Sequence, residues 1–469
     1  MPVTSATVDV TYAYPFESVV ETTRDDTRVR LATSGGRSRH PHFFQGLLLS
    51  PATSAELLLI VARVAQSRFY VPPGMLERIL READPVVTCA GERRRFESFS
   101  QCCGVYARAD LLPAAFEGEF LGRGTTNVDF NPPMRAALAQ ITAGERVGLN
   151  IGIDQVELER QAGKVVERKV RLPQRWLKGF VEVQALASGL RRVHEVPGPE
   201  ARRFLAAVPA QTKARDRAYL AVNGRQLRIS QRAGKGSVAV GGIGRLQVLK
   251  PLARRARALR IYGADSGVTG WELELDDARL QVLLSPEAAR GFSGEGQVLH
   301  DLAGRKAGRA LARVRAALAW QPRISPRGLA AQVELDPAAV AGALAALGSR
   351  GLVGYDLHDE AYFHRELPFD LTAVANLHPR LNDARKILDK GGVRDIETTG
   401  GTVEAFVAGS GVDHRVRLTV DGFRCTCPWF SRNKGAAGPC KHVLALQLTL
   451  EDEGEKEAAK APATDRNDG

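Results

Sequence analysis

The spacing of three cysteines and one histidine near the C-terminus limits what this chain can fold into more than any other feature. Cys425 and Cys427 are one residue apart, and Cys440 and His442 follow with the same separation after a spacer of twelve residues. Side chains two positions apart on an extended strand point the same way, so the first pair can hold one ion. The second pair lies where a helix is predicted to start, and the free backbone N–H groups of a helix start stabilise a thiolate. We predict that these four residues bind one zinc ion.

A zinc ion held by these residues is predicted to be structural. Three thiolates and one imidazole complete a tetrahedral shell, leave no open position for water and carry a net charge of −1. The alternative is that the four residues are unrelated, or that two of the cysteines form a disulfide. Half of the chain's six cysteines fall in this motif, which argues against that alternative. Basic residues close in sequence can offset the negative charge: Arg424, Arg432, Lys434 and Lys441.

This segment resembles the SWIM zinc finger, whose pattern is Cys-x-Cys, a variable spacer and Cys-x-His. The resemblance includes two strands predicted at Thr402–Ala408 and Arg415–Val420, and also Pro428 and Lys441. It implies a small ββα-type finger with the four ligands named above, and it implies binding of DNA or of proteins without chemistry. Bacterial relatives are often encoded beside MoxR-type AAA ATPases and von Willebrand A-domain proteins. This chain has the motifs of neither, so the resemblance makes it at most their partner.

The length of 469 residues exceeds what one hydrophobic core usually serves, so we expect several domains. The predicted fold class is an α+β multidomain protein with a mixed α/β N-terminal half. The predicted divisions are an α+β domain of unknown function (1–185), a mostly β domain (186–294), a winged-helix-like domain (295–367), the SWIM domain (368–450) and a disordered acidic tail (451–469).

Local patterns support the first two divisions. Alternating residues predict a strand at Val8–Tyr12, and apolar periodicity predicts helices from Ser54 to Arg68 and over Met75–Ala83. A proline pair predicts a helix over Pro132–Ile141. A hairpin is predicted from Val147–Leu158 and Val165–Leu172, and short strands between turn residues fill 188–285.

The third division resembles a winged helix-turn-helix domain in the order of its elements. Three helices are predicted, over Val298–Trp320, from Ser325 to Val333 and from Asp336 to Ser349, and a two-stranded wing over Leu352–His364 follows. Between Pro337 and Ser349 the third helix has no Arg, Lys, Asn or Gln, which are the side chains that read base edges. We predict that this helix packs on another domain or protein and does not specify a DNA sequence.

The net positive charge of the chain is compatible with an anionic partner. The net charge is +12, although the tail from Glu451 is acidic, and a basic body suits nucleic acid. The alternative is an arginine-rich surface that only keeps the protein soluble. Aromatic residues make up 6% of the chain, which is few for stacking on single strands. Nucleic-acid binding is therefore expected to be weak and non-specific.

One polar constellation upstream is a weaker candidate site. Asn127, Asp129, Asn131 and Arg135 could converge on a ligand. The more ordinary interpretation is that Asn131 caps the helix that starts at Pro132. The sequence does not decide between them.

A second metal site could be built from the remaining cysteines and two histidines. Cys89, Cys102 and Cys103 could combine with His40 and His42. Adjacent cysteines seldom point at one ion, so buried free thiols are the favoured interpretation.

These observations favour a binding protein over an enzyme. No phosphate loop, nucleophile elbow or catalytic triad spacing is present. The start of the chain lacks a signal-peptide pattern, and the apolar stretch Leu57–Ala65 is too short for a bilayer, so we expect a cytoplasmic protein without a membrane partner. The expected function is that of a zinc-binding protein-interaction adaptor. The alternatives are a nucleic-acid binder that uses the finger and the basic surface, and an enzyme with its active site in the N-terminal half.

Overall fold

The chain is a mixed α/β protein in the computed structural model. The structure describes residues 19–23, 26–30, 42–69, 85–128, 130–170, 172, 174–212, 216–224, 226–286, 291–292, 308–367, 379–400, 402–419, 422–435 and 438–460. The predicted strand Val8–Tyr12 and the predicted helix Met75–Ala83 lie outside these residues, as do His40 and Asp129.

A short hairpin precedes a large body that spans residues 42–285. The hairpin consists of β1 (Val19–Thr23) and β2 (Asp26–Arg30). The first half of the body contains, in chain order, β3 (His42–Leu48), α1 (Pro51–Gln66), β4 (Val86–Ala90), β5 (Arg93–Phe99), β6 (Val105–Leu111), β7 (Phe116–Glu119), β8 (Gly124–Asn127), α2 (Pro132–Ala139), β9 (Gly148–Gly152), β10 (Gln155–Arg160), β11 (Gly163–Arg168) and α3 (Gln174–Gly189).

The second half of the body repeats much of this order. It contains β12 (Arg191–Pro197), α4 (Gly198–Ala207), β13 (Arg217–Asn223), β14 (Gln226–Ser230), β15 (Val238–Gly241), a 3-10 helix (Ile243–Leu252), β16 (Ala258–Gly263), β17 (Thr269–Glu274) and β18 (Ala278–Leu284). In each half, the first strand pairs with the strand after the second helix, β3 with β9 and β12 with β16. The body is therefore built from two similarly ordered halves, which the sequence did not reveal.

One sheet joins the two halves. Its order is β12-β16-β17-β18-β6-β5-β4-β8, and the seam between β18 and β6 pairs Ala278 with Leu111 and Leu284 with Val105. A five-stranded sheet (β11-β10-β9-β3-β7) and a three-stranded sheet (β14-β13-β15) complete the body. The sequence placed a domain boundary near residue 185. In the structure, strands from both sides of this point share one sheet and one hydrophobic core, because β6 pairs with β18 over its whole length, from Val105 to Leu111.

The helices of the body form a layer on these sheets. α1 packs between α2 and the 3-10 helix and against β5 and β6, and α4 packs on the far side of the 3-10 helix. α1 begins at Pro51, three residues before the predicted Ser54, and is buried on most of its surface because it has neighbours on several sides. The predicted helix at Pro132 is present, and Asn131 caps it by accepting a hydrogen bond from the backbone N–H of Met134 at 3.1 Å.

Three helices and a hairpin follow, and we call them the helix–hairpin unit (residues 308–364). They are α5 (Gly308–Ala316), α6 (Pro326–Val333), α7 (Pro337–Ser349), β19 (Val353–Asp356) and β20 (Ala361–His364). Ser325 and Asp336 cap α6 and α7 through their side chains, as their positions before Pro326 and Pro337 predicted. The predicted first helix is described only from Gly308 onward and ends at Ala316 instead of Trp320, which has a left-handed φ of 58°.

The helix–hairpin unit packs on the body by two of its elements. α7 lies against α3, and the contact is close at Gly348, where an added Cβ would lie 2.7 Å from Cγ of Gln184. The tip of the hairpin lies on the eight-stranded sheet. There Asp356 lies 3.0 Å from Arg108 and 3.4 Å from Arg95.

We call this group of charged side chains the clasp. It comprises Arg93, Arg95, Arg108 and Asp110 of the sheet with Asp356 and Asp359 of the hairpin. The side chains of Arg95, Arg108, Asp110 and Asp356 are at most 1% exposed. Buried charges are tolerated only when they are paired, and here cations and anions alternate across the contact.

Two further polar contacts extend the clasp along the sheet. Arg365 forms an ion pair with Glu97, which also accepts a hydrogen bond from the Tyr106 hydroxyl at 2.6 Å. His358 Nδ1 lies 2.8 Å from Glu272, and Arg260 reaches the same carboxylate at 3.1 Å. The contact of residues 308–367 with the body therefore combines ion pairs with apolar packing, since Leu357 and Leu367 belong to one hydrophobic cluster with residues of the body.

The C-terminal unit (residues 379–460) is a four-stranded sheet with helices on one face. It contains α8 (Pro379–Asp389), β21 (Val393–Thr399), β22 (Thr402–Ala408), β23 (Asp413–Thr419), β24 (Gly422–Cys425), α9 (Pro428–Asn433) and α10 (Lys441–Lys460). The order is β21-β22-β23-β24, and α8 and α10 pack on the face that carries Ala405, Val407 and Val416. The predicted strand at Thr402–Ala408 is confirmed, and the second predicted strand begins two residues earlier, at Asp413.

The tail differs from its prediction. Disorder was expected from Glu451, but α10 continues to Lys460. The reason is local: Glu, Lys and Ala between residues 451 and 460 are good helix formers, and the buried first part of the helix supplies the nucleus that an isolated tail would lack. Residues 461–469 lie outside the described part of the chain.

Among the described helices, none alone has the length and apolarity of a bilayer span. Pro326–Val333 and Pro337–Gly348 reach that composition only as a pair, with a bend of 109° between them.

Candidate metal centre

The chain arranges the four predicted ligands through three short elements. β24 ends at Cys425, and Cys427 is the residue directly before α9. The Sγ of Cys427 accepts a hydrogen bond from the backbone N–H of Phe430 at 3.3 Å. Cys440 directly precedes α10 and His442 lies in its first turn. The positive end of the helix dipole therefore faces the thiols of Cys427 and Cys440.

The four side chains converge at one buried point. One ligand atom from each of Cys425, Cys427, Cys440 and His442 lies within 4.8 Å of the others. His442 Nδ1 is 3.8 Å from the sulfur of Cys425 and 3.9 Å from the sulfur of Cys440. Ligands of a tetrahedral zinc ion, with bonds of about 2.0 to 2.3 Å, lie roughly 3.5 to 3.8 Å apart. The donor set and its spacing therefore fit zinc, with Nδ1 of His442 as the nitrogen ligand.

The electrostatics of the cluster favour a thiolate that a cation can bind. A hydrogen bond from Cys425, together with the imidazole of His442 and the backbone N–H of Val443, lowers the pKa of Cys440 to about 4 despite burial. The same hydrogen bond raises the pKa of Cys425, and burial raises that of Cys427. The surroundings therefore favour the thiolate at Cys440, and a dication would draw the other two thiols into the thiolate form.

The aromatic residues beside the ligands belong to the small core of the unit. Phe423, Trp429 and Phe430 pack against the buried residues around the ligands, and Arg380 covers the Trp429 ring with its guanidinium 4.6 Å from the centroid. The four basic residues expected to offset the charge of the shell are Arg424, Arg432, Lys434 and Lys441, and the first three are exposed.

One match to a known family agrees with this chemistry. The ligand set and its closed geometry define a zinc finger of the Cys3His class. Residues 414–450 match the family model of the SWIM zinc finger, so the finger of this chain is a SWIM finger. No curated protein matches the chain.

Some solved structures resemble about half of the chain. Proliferating Cellular Nuclear Antigen from Entamoeba histolytica matches with a TM-score of 0.35 and 10% identity, covering 52% of this chain and 99% of that one. The structure titled C-terminal region of FEN-1 bound to A. fulgidus PCNA gives 0.36 and 11%, covering 52% and 98%. The PCNA2-PCNA3 complex from Sulfolobus tokodaii gives 0.36 and 8%, covering 52% and 99%. Scores this low support no conclusion about this chain.

The upstream cysteines form no metal-binding group among the described residues. Cys89 and Cys103 are buried free thiols, and burial raises the pKa of Cys89 to about 11 and that of Cys103 to about 12. The single group of potential metal ligands found in the described part of the chain is the C-terminal one. The structure therefore favours the interpretation as buried thiols.

The polar run near residue 130 serves the local fold where it is described. Asn127 is buried, and its side-chain amide donates to the carbonyl of Val170. Asn131 caps α2, and Arg135 lies partly exposed on that helix. These roles match the capping interpretation of Asn131.

Two features escaped the sequence reasoning. The charges of the clasp are spread over more than 260 positions, as the contacts of Arg93 with Asp356 and Asp359 illustrate, so no local pattern marks them. Phe406 is 44% exposed, because it lies on a strand between Ala405 and Val407, which are buried on the opposite face. Its alternation with these two residues was the signal available in the sequence.

Proposed function

We propose that this protein is an interaction adaptor and not an enzyme, with a protein as its main partner in the cytoplasm and no membrane partner. The zinc ion of the SWIM finger would hold the C-terminal unit together. Its complete shell of protein ligands supports a structural role, because hydrolytic zinc needs an open position.

The position of the helix–hairpin unit carries this proposal. We interpret the unit as a winged helix, on the order of its helices and strands. In such a domain α7 would enter the major groove and the hairpin would contact the DNA backbone. Here α7 packs against α3, and the tip of the hairpin is held by the clasp. The end of α7 and the tip of the hairpin are engaged inside the molecule, and the exposed start of α7 carries no side chain that reads bases, which supports a scaffold role.

The proposed partners are a MoxR-type AAA ATPase or a von Willebrand A-domain protein. This suggestion rests on the resemblance to bacterial SWIM proteins and on the lack of an ATPase motif in this sequence. Affinity capture tests this suggestion: the zinc-loaded full chain is the bait, and partners are captured from an extract of its host. One sample is treated with nuclease, and the washes run between about 50 and 200 mM salt. We expect a protein partner that survives nuclease and salt. Capture that disappears with nuclease would contradict the adaptor function.

A second candidate, nucleic-acid binding, is favoured by one observation. The helix layer of the body exposes Arg202 on α4 and Lys250 and Arg254 at the end of the 3-10 helix, and these three have no ion-pair partner within the described residues. Arg63 and Arg203 on the same layer are paired with Glu56 and Glu200. Such a surface would bind phosphates weakly and without regard to sequence, through counterion release.

A further inference from the structure

The face of the C-terminal sheet that points away from the zinc ligands is open. The helices and the core cover one face. On the opposite face, the side chains of Arg394, Arg415 and Arg417 are 56%, 57% and 52% exposed. We call this face, defined by Arg394, Glu397, Glu404, Phe406, Arg415, Arg417 and Arg424, the outer face.

Phe406 lies in the middle of the outer face between two arginines. The strand pairing places Arg394 on one side of it and Arg415 on the other, and paired residues of antiparallel strands share a face. Arg394 is held by Asp413 at 2.6 Å, and Arg415 is held by Glu404 at 2.8 Å. These exposed ion pairs lie beside the ring and place charged groups around it. An exposed aromatic ring flanked by arginines has the composition of an interface hot spot.

The neighbouring row of residues on the outer face has an uneven charge. Across the four strands it consists of Glu397, Glu404, Arg417 and Arg424. Like charges directly opposite each other destabilise a sheet, yet this row contains two such pairs. Glu404 forms ion pairs with both Arg415 and Arg417. Arg424 has no ion-pair partner within the described residues. The positive end of the row therefore has room for a carboxylate from outside.

The same row argues against nucleic acid as the occupant of the outer face. Glu397 and Glu404 would repel a phosphate backbone that crossed the sheet, whereas a protein can place a single carboxylate at the positive end and avoid the negative end. Addition of a strand at the β21 edge is also disfavoured. β21 carries a bulge at Asp395, which has a left-handed φ of 51°, and bulges blunt edge strands.

We propose that the outer face is the docking site for a partner protein segment that places an apolar side chain on Phe406 and a carboxylate at Arg417 and Arg424. On β22 and β23 the two rows are two residues apart, and Arg417 and Arg424 lie one and two strands away from Phe406. The apolar and acidic groups of the partner should therefore be separated by about 8 to 12 Å. This inference rests on the adaptor function and assigns the surface and the chemistry of the partner.

Selection of random displayed peptides on the immobilised, zinc-loaded full chain tests the proposal. We expect enriched peptides to combine an apolar residue with a nearby Asp or Glu. Their affinity should fall about tenfold or more for Phe406→Ser, as for a hot-spot residue. A parallel selection on Arg424→Glu should replace the acidic residue by Lys or Arg. Phe406 is exposed on the face away from the ligands, so Phe406→Ser should keep the zinc content and melting temperature of the wild type. Arg424 adjoins the ligand Cys425, so the Arg424→Glu selection uses only protein with a measured content of one zinc per chain.

Matched controls separate this surface from general stickiness. Leu49→Ser removes an apolar side chain that is 54% exposed on the body, and Arg232→Glu makes the same charge change on an exposed loop. Both should bind the peptides as wild type does. Selected peptides that bind Phe406→Ser and Arg424→Glu at full strength would overturn the proposal, and so would a selection that enriches nothing. Tight binding of an oligothymidylate that requires Phe406 would assign the face to nucleic acid instead.

The result can be distinguished from the fate of the adaptor function. Host proteins that are captured equally by wild type and by Phe406→Ser would leave the adaptor function standing and reject the outer face as its site. Host capture that requires nuclease-sensitive material would reject both.

Discussion

Asp356→Asn tests whether the clasp holds the helix–hairpin unit on the body. The substitution keeps the size of the side chain, and its oxygen can still accept the hydrogen bond that Asp356 Oδ1 receives from the His358 backbone at 3.0 Å. It removes the charge that faces Arg108 at 3.0 Å, Arg95 at 3.4 Å and Arg93 at 3.5 Å. Loss of one member of a buried ion pair typically costs about 3 to 5 kcal/mol. For a cooperative unit of this size we expect the melting temperature to fall by roughly 6 to 20 °C.

The stability difference between wild type and Asp356→Asn should depend on pH in a defined direction. Burial alone would raise the pKa of Asp356, but Arg108 and Arg95 outweigh burial and hold the pKa well below its usual value. A carboxyl with a lowered pKa in the folded state stabilises the protein above its unfolded pKa of about 3.9 and loses that contribution as the pH falls further. The difference between wild type and Asp356→Asn should therefore be constant from about pH 5 to 8 and shrink below about pH 4.

Urea unfolding at several pH values measures the effect, and hydrogen exchange in β19 and β20 locates it. Asp265→Asn, at an exposed position of the body, is the matched control and should change the free energy of unfolding by less than about 0.5 kcal/mol. If Asp356→Asn cost no more than this control, the charges of the clasp would be screened by water, and the argument for a fixed helix–hairpin unit would fail.

Four further outcomes are expected. Cys440→Ser should lose the zinc and unfold the C-terminal unit while the body stays folded, because zinc binding here supplies folding free energy; well-folded wild-type protein without zinc by elemental analysis would contradict this. Selection on random DNA duplexes should return no consensus, since α7 lacks base-reading side chains, and a sharp consensus that depends on Ala341 would refute it. Binding to duplex DNA should have a dissociation constant on the order of micromolar or weaker and fall steeply between about 50 and 200 mM salt. Joint replacement of Arg202, Lys250 and Arg254 by Glu should weaken that binding and reduce the slope of log K against log salt by up to about 3, whereas an unchanged slope would exclude the helix layer as the binding surface.

The zinc site could be predicted from the sequence because its information is local. Cys425 ends a strand, Cys427 lies two residues further on before α9, and Cys440 and His442 lie at the start of a helix. The caps at Ser325 and Asp336 were predictable for the same reason, since each serves backbone groups within three residues.

The arrangement of the body could not be predicted in this way. Its seam joins Val105 to Leu284, and its clasp joins Arg95 to Asp356. Such contacts leave no periodic pattern, because the partner of each residue is set by the whole fold. β21 was missed because its largely exposed sequence lacks a clear alternation of polar and apolar residues, and the strand predicted through Cys427 ends at Cys425. Sequence patterns therefore located short elements and one site, and left the long-range pairing open.

The seam between β6 and β18 also sets an order of events during synthesis on the ribosome. β6 is complete at Leu111, but its partner strand begins with Ala278, roughly 170 residues later. At about 5 to 20 residues per second, the nascent chain exposes the unpaired edge of β6 for on the order of 10 to 30 s. An unpaired strand edge invites pairing with other chains. A fragment that stops near residue 185 would keep that edge permanently, so aggregation is its expected fate, and slower growth at low temperature with chaperones present is the condition under which the whole chain should give the best yield.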